Sequence, residues 1–372
     1  MDANVKLGRF LNIPIGLNKS WFLIFAFLTW SLAVGYFPEA TTGYSTVVFW
    51  VLAVISSILF FGSVLAHELG HSVIAIRNSI PVRSITLFIF GGVAQIEKEP
   101  ETPGAEFRIA IAGPITSLIL ALSFWTISEL GSSVPFLAAP SLWLARTNFI
   151  LAIFNMIPGF PLDGGRVLRA LVWKLSDNMV MATKVASIGG RVVAFSFIGL
   201  GVLSLFSGNF SNGLWLGMIG LFLNNAAASS YSRANLENSL KDVTVEQVMS
   251  TGIPYISSLT SLERLVKDYV LPLNQRAFIV LENDVAKGLL TVQNIFKIPR
   301  RKWPFMTAGQ VMEPLDQTVE IAPETKLLEA IRTIQLTDSG SIAVINQGQV
   351  VGTISEDDVI SYINLKSKLS TQ

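Results

Sequence analysis

Up to about Tyr231 the chain is a succession of long apolar stretches with short polar breaks. Beyond about Asp242 it changes to acids and bases interleaved with short Val/Ile runs. Apolar runs of about 20 residues are long enough for a helix to cross a hydrocarbon core of about 30 Å. The pattern predicts spans near 20–37, 45–67, 107–129, 141–157, 179–206 and 211–230. The fourth is short and is expected to continue as broken helix towards Asp163. Residues 1–235 therefore read as a six-span membrane domain and 242–372 as a soluble one. The first 20 residues are mixed in polarity, so the run from Trp21 reads as an uncleaved span and not as a signal segment.

Composition agrees with the pattern. The chain is 51% hydrophobic and 14% charged, against about 25% charged in soluble domains. A net charge of +1 gives no reason to expect a nucleic-acid partner. There is no cysteine, so disulfides are excluded and any metal must be held by His, Asp or Glu. The breaks 38–45, 130–140 and 207–210 contain no Lys or Arg, whereas Lys6, Arg9, Lys19, Arg77, Arg83, Lys98, Arg108, Arg166, Arg169, Lys174, Arg233 and Lys241 fall on the opposite side. That bias predicts a multi-pass protein of a bacterial-type cytoplasmic membrane, with both termini and the soluble domain in the cytoplasm.

A charge at bilayer depth costs at least about 2.5 kcal/mol, so each one needs a reason. Lys184 can snorkel from a helix end; for Arg146 and Arg191 an ion pair or contact with backbone carbonyls is expected. The group within "FFGSVLAHELGHSVIAIR" is different in kind. It holds both histidines of the chain, His67 and His71, beside Glu68. On a helix, positions i and i+4 stack on one face, so both imidazoles can reach one metal, with Glu68 placed to take a proton from water. Chance could produce the pattern, but three polar groups in lipid are unfavourable unless something gathers them. A catalytic zinc usually has three protein ligands and an open position. With no cysteine and no third histidine, the third ligand must be a carboxylate, and Asp163 in "FNMIPGFPLDGGRVLRALVWKL" is the best candidate. Pro158, Gly159, Pro161, Gly164 and Gly165 break the helix there, which is tolerated at membrane depth only when the backbone is buried in protein or lines a wet cavity. Asp163 also suits the N-cap of the helix that follows.

The motifs "HELGH" at 67–71 and "NMIPGFPLDGGR" at 155–166 resemble those of the site-2 proteases, intramembrane zinc metalloproteases. The resemblance implies zinc bound by His67, His71 and Asp163, Glu68 as general base, and Asn155 holding the substrate carbonyl or its oxyanion. The segment "LFIFGGVAQIEKEP", 87–100, resembles that family's Gly-Gly strand segment. Its alternation suggests a membrane-associated strand, either a structural hairpin or an edge to which an unfolded substrate adds. "AGPITS", 112–117, resembles the family's Gly-Pro motif, with Ser117 where many relatives carry Asn.

The soluble part contains a repeat: "VEQVMS" at 245–250 corresponds to "AGQVME" at 308–313, and 277–298 to 341–363, with Gly288 and Gly352 aligned. It resembles a tandem pair of cystathionine-β-synthase (CBS) domains, about 242–300 and 305–365, a module that often binds adenosine nucleotides. The resemblance implies phosphate contacts from Thr291 and Ser355 and a ribose contact from Asp358; Asn294 stands where the first copy would carry its acid. A dimerisation or docking module without ligand fits equally. The basic linker "KIPRRKWPF", 297–305, reads as a solvated loop.

The expected fold is thus a polytopic α-helical membrane protein with a small membrane-associated β segment, plus a soluble α/β CBS pair. The expected function is zinc-dependent hydrolysis of a peptide bond in or near the transmembrane segment of a membrane-protein substrate, single-span or otherwise. The CBS pair is expected to regulate it, through an adenine nucleotide such as ATP or through homodimer formation. The alternative is an inactive client-binding membrane protein with a vestigial zinc site.

Overall fold

The computed structural model describes residues 4–369 except 42, 90, 97, 274, 284, 315–319, 337–339 and 348. The chain forms two compact units, Met1–Ala234 and Asn235–Gln372.

The first unit opens on a hairpin, β1 (Val5–Phe10) and β2 (Ile13–Leu17), turned through Leu11 and Asn12 at positive φ. Helix α1 (Lys19–Ser31) starts on Asn18, whose side chain accepts from the Ser20 N–H, and continues through a π turn (Leu32–Tyr36) into α2 (Phe37–Ala40). Then follow α3 (Thr46–Arg77), β3 (Val82–Phe88), β4 (Gly91–Ile96), α4 (Pro103–Leu130), α5 (Pro135–Asn155), α6 (Asp163–Ser176), α7 (Met179–Phe206) and α8 (Phe210–Leu240), whose last residues belong to the second unit.

Five of these runs are long and apolar enough to cross a membrane: Lys19–Ala40, α3, α4, α5 and α7. Large apolar side chains such as Ile119, Leu122, Val192 and Phe195 point outward from them, the expected surface of helices solvated by lipid. The sixth expected span, 211–230, is helical within α8, but Asn224, Asn225, Ser229 and Ser230 dilute its second half, and it is not among the five. The fourth span begins at Pro135, six residues before the expected 141, because proline is well placed in a first helical turn. The second runs ten residues past the expected 67, so both histidines lie inside the helix.

The expected strand segment is half of a four-stranded sheet, in the order β1-β2-β3-β4. Strands β2 and β3 run parallel, and β1 and β4 add antiparallel on the outside. Positions 90 and 97 of that segment lie outside the described residues. The N-terminal hairpin has no counterpart in the sequence reading: β1 is exposed along its whole length, so no buried face marks it.

Glycines set the tightest contacts. A Cβ on Gly70 would meet Thr116 Oγ1 at 2.5 Å, so the second variable position of the histidine motif lets α3 close on α4. The irregular segment 156–162 runs against α7: the Phe160 N–H donates to Ala186 O at 3.0 Å, and a Cβ on Gly159 or Gly190 would collide with the other strand of backbone. Gly159, Phe160 and Leu162 are buried, whereas Met156, Pro158 and Pro161 are exposed, so protein covers one side of this broken backbone. Arg191 lies over the Phe195 ring, 5.9 Å from its centroid, and Arg146 lines a cavity of about 500 Å³ with Tyr36 and Glu39. Neither makes the expected ion pair or backbone-carbonyl contact among the described contacts.

The second unit contains β5 (Tyr255–Ser257), α9 (Leu262–Leu265), α10 (Leu271–Leu273), β6 (Ala277–Glu282), β7 (Val285–Thr291), α11 (Val292–Phe296), α12 (Ala308–Val311), β8 (Glu313–Pro314), β9 (Glu320–Ile321), α13 (Leu327–Leu336), β10 (Ser341–Asn346), β11 (Gln349–Ser355) and α14 (Glu356–Leu369). Its sheets, β5-β6-β7-β8 and β11-β10-β9, share one plan: a parallel strand, then an antiparallel hairpin. The hairpins turn through Asn283 and Gln347, both at φ +50°, and slip register at equivalent points, Val280/Leu281 and Val344/Ile345. Each copy lends its first segment to the other. Glu313 pairs with Leu289, and Ser250 bridges Thr353. Gly288 and Gly352 are required because that borrowed segment crosses over them: a Cβ would meet Met312 Sδ at 2.6 Å or Met249 Sδ at 2.9 Å.

Candidate metal centre

His67 and His71 sit one turn apart on α3, both 4% exposed. Asp163 opens α6, straight after the broken segment, with its side chain 13% exposed. Asp163 Oδ2 lies 3.1 Å from His67 Nε2 and 3.2 Å from His71 Nε2, and the two Nε2 atoms are 3.2 Å apart. A tetrahedral zinc with ligands at about 2.0–2.1 Å would hold its donor atoms about 3.3 Å apart. The three donors therefore fit one ion and leave its fourth position open. Among the described residues they are the one group of His, Asp and Glu side chains arranged in this way.

The outer nitrogens are also engaged. His71 Nδ1 donates to the Ile109 carbonyl at 2.7 Å, which leaves the Nε2 lone pair free for a metal. His67 Nδ1 is 2.9 Å from Ser117 Oγ, and Ser117 is fully buried. Ser117, standing where many relatives carry Asn, thus makes a polar contact with the imidazole. Gly113 lies between these two supports, and a Cβ there would strike His71 Nε2 and approach His67 Nε2 at 2.6 Å. The Gly-Pro motif of α4 is the wall of the centre.

Glu68 leaves α3 towards β4. Its carboxylate faces the Ala94 backbone N–H. A Cβ on Gly92 would meet Glu68 Cγ at 2.5 Å, so the second glycine of the Gly-Gly pair in β4 is what makes room for the acid. Asn155 is the last residue of α5 and half-buried, with no described contact to the three donors.

A family model described as Peptidase family M50 matches residues 55–141 and 132–200, and a CBS domain model matches 308–365. The Synechocystis sp. chain sll0528 is 34% identical over 366 residues, covering 97% of this chain and 95% of its own length. The chain belongs to peptidase family M50, the site-2 protease family. Rip3 of Mycobacterium tuberculosis is 32% identical over 98% of this chain and 94% of its own, and MJ0392 of Methanocaldococcus jannaschii 28% over 99% of each. The names of all three describe zinc metalloproteases. This M50 chain is accordingly a zinc metalloprotease and a multi-pass membrane protein.

Its C-terminal motif residues form hydrogen bonds with one another. Thr291 and Asn294 are 2% and 6% exposed and form a reciprocal capping box at the start of α11. Asn294 Nδ2 donates to Glu313 Oε1 at 2.9 Å. Ser355 and Asp358 cap α14 in the same way: Asp358 Oδ2 accepts from the Ser355 N–H at 2.9 Å and from its hydroxyl at 2.6 Å. Asp358 Oδ1 accepts from the Ser250 hydroxyl at 2.6 Å. Both copies therefore use the motif to cap a helix and to grip the other copy's first segment.

Proposed function

We propose that this M50 protease hydrolyses a peptide bond in or near the transmembrane segment of a membrane-protein substrate. His67 Nε2, His71 Nε2 and Asp163 Oδ2 are the zinc ligands, and Glu68 is the general base. Zinc, when bound, supplies a Lewis acid for the scissile carbonyl and lowers the pKa of the attacking water. Glu68 takes the proton of that water on a carboxylate oxygen and returns it to the leaving amine, so the Ala94 N–H serves to hold the acid in place. Asn155 offers an amide N–H to the carbonyl oxygen. A substrate helix has its backbone hydrogen bonds satisfied internally and must unwind before attack. The outer edge of β4 supports this step, because an unwound segment can add there as a further strand. The observation that carries the reading is three convergent donor atoms, two on the membrane-crossing helix α3 and one at the start of α6.

The test is cleavage of a single-span substrate by the purified, zinc-loaded protein. Wild type is expected to cleave, and Glu68→Gln to retain zinc while losing activity by about a thousandfold or more. Equal cleavage by both would refute the role of Glu68.

Residues 242–300 and 305–365 are proposed as a cytoplasmic CBS pair that regulates this activity, with both chain termini on the same side. Its adenine nucleotide would bind with ribose on Asp358, replacing the Ser250 hydroxyl, and with phosphate at Ser355. The buried Thr291 and Asn294 leave the first copy little to offer a ligand. Adding ATP, ADP or AMP to the cleavage assay should alter the rate; no response to any of them would favour a docking or homodimer module.

A further inference from the structure

Asp163 is the one candidate ligand not carried by α3, and an irregular segment precedes it. Some contact must therefore fix α6 against α3 and α4. Arg169, buried two turns along α6, provides one. Its Nε donates to Glu106 Oε1 at 2.6 Å, its Nη2 reaches the same oxygen, and its Nη1 lies 3.3 Å from Glu99 Oε2. Its guanidinium also covers the ring of Phe160, 5.2 Å from the centroid, and so touches the segment that leads into Asp163. Arg166 Nε stands 3.8 Å from Glu106 Oε1.

Glu106 is fully buried in the first turns of α4. It shares one helical stripe with Ile109, Gly113 and Ser117, at spacings of three, four and four. Those other positions hold His71, wall the centre and hold His67. One face of α4 therefore fixes both imidazoles directly and Asp163 indirectly, through a helix in which Asp163 and Arg169 are about 9 Å apart along the axis. A buried ion pair is a poor source of net stability, since a well-packed apolar pair does as well or better. What such a pair does supply is a single register.

We propose that Glu106 and Arg169 are positioning residues that set the distance of Asp163 from His67 and His71, and through it the affinity for zinc. The proposal rests on the zinc-ligand reading above and extends it to residues with no contact to the metal.

The test uses the full-length protein in detergent, with zinc affinity measured by competition against a chromophoric chelator and cobalt(II) absorption as a report of ligand geometry. The double variant Glu106→Leu with Arg169→Met keeps the volume and removes both charges. It is expected to fold and melt at or above the wild-type temperature, yet to bind zinc about tenfold or more weakly, with an altered cobalt spectrum. A purely structural pair would leave affinity and spectrum unchanged, and that result overturns the proposal. Should the double variant not fold, Arg169→Lys decides, since it keeps the buried charge and loses the fork: zinc binding weaker by about threefold or more supports the proposal, and unchanged binding overturns it. Asp163→Asn separates the two readings. If it leaves wild-type affinity intact, the ligand assignment itself fails; if it abolishes binding while the pair variants bind normally, only the positioning role fails.

Discussion

The membrane unit and the C-terminal unit each bring motif residues together, but they use them in opposite ways. In the membrane unit, His67, His71 and Asp163 turn three donor atoms towards one point, while the outer ring nitrogens of the two histidines are held by Ser117 and the Ile109 carbonyl. The imidazoles are supported from behind, and the three donor atoms face one another. In the C-terminal unit, Ser355 and Asp358 satisfy one another, the α14 terminus and Ser250. A polar cluster with its bonds closed is an element of architecture; one held open by its surroundings costs free energy that a ligand can offset. Substitutions in the two units should therefore differ in kind, with metal binding lost in the first and stability shifted in the second.

The largest effect is expected at Gly113. Its Cα faces the Nε2 atoms of both histidines, so in Gly113→Ala a methyl group would occupy the metal's place, and both rings are pinned from behind and cannot retreat. Zinc content measured after purification should fall to background while the helical circular dichroism is kept. Retention of stoichiometric zinc would show that the imidazoles are free to move. Next comes Ser117→Ala, which removes the outer partner of His67. Loss of such a partner lowers metal affinity by about 10- to 100-fold, to be read by chelator competition. In Ser117→Asn the amide can still serve the imidazole, and recovery of most of the affinity is expected.

Much of this contrast was legible in the sequence, for identifiable physical reasons. The histidine motif and the Asp163 segment could be found because ionisable groups and helix breakers are conspicuous within apolar runs. The apolar run 179–206 coincides with α7, Met179–Phe206, which Asn178 caps with its side chain. The β1–β2 hairpin escaped because its outer strand buries nothing. The start of α5 lies ahead of the expected 141, with Pro135 in its first turn and Pro140 within it, at positions that the apolar run alone does not mark. Glu106 escaped for a different reason. An acid near the start of a helix is ordinary, and only the fold shows that it is fully buried against Arg169. The CBS motif was found, but its hydrogen bonds across the two copies depend on an exchange of first segments that no local pattern announces.

The smallest effect, and the one that sharpens the contrast most, is expected for Asp358→Asn. The first copy already carries this chemistry: Asn294 accepts from Thr291 through Oδ1 and donates to Glu313 through Nδ2. An asparagine at 358 can accept from Ser355 in the same manner and donate to the Ser250 hydroxyl, which then accepts in place of donating. The cap and the bond between copies both survive, so the melting temperature of the full chain should correspond to a change within about 0.5 kcal/mol. Asp358→Ala breaks both bonds and should cost about 1–2 kcal/mol. If a nucleotide binds with its ribose on this carboxylate, Asp358→Asn should weaken it by about tenfold while leaving the melt untouched. A drop in stability as large as that of the alanine variant would mean instead that the negative charge at the α14 terminus, and not the hydrogen-bond pattern, holds the two copies together.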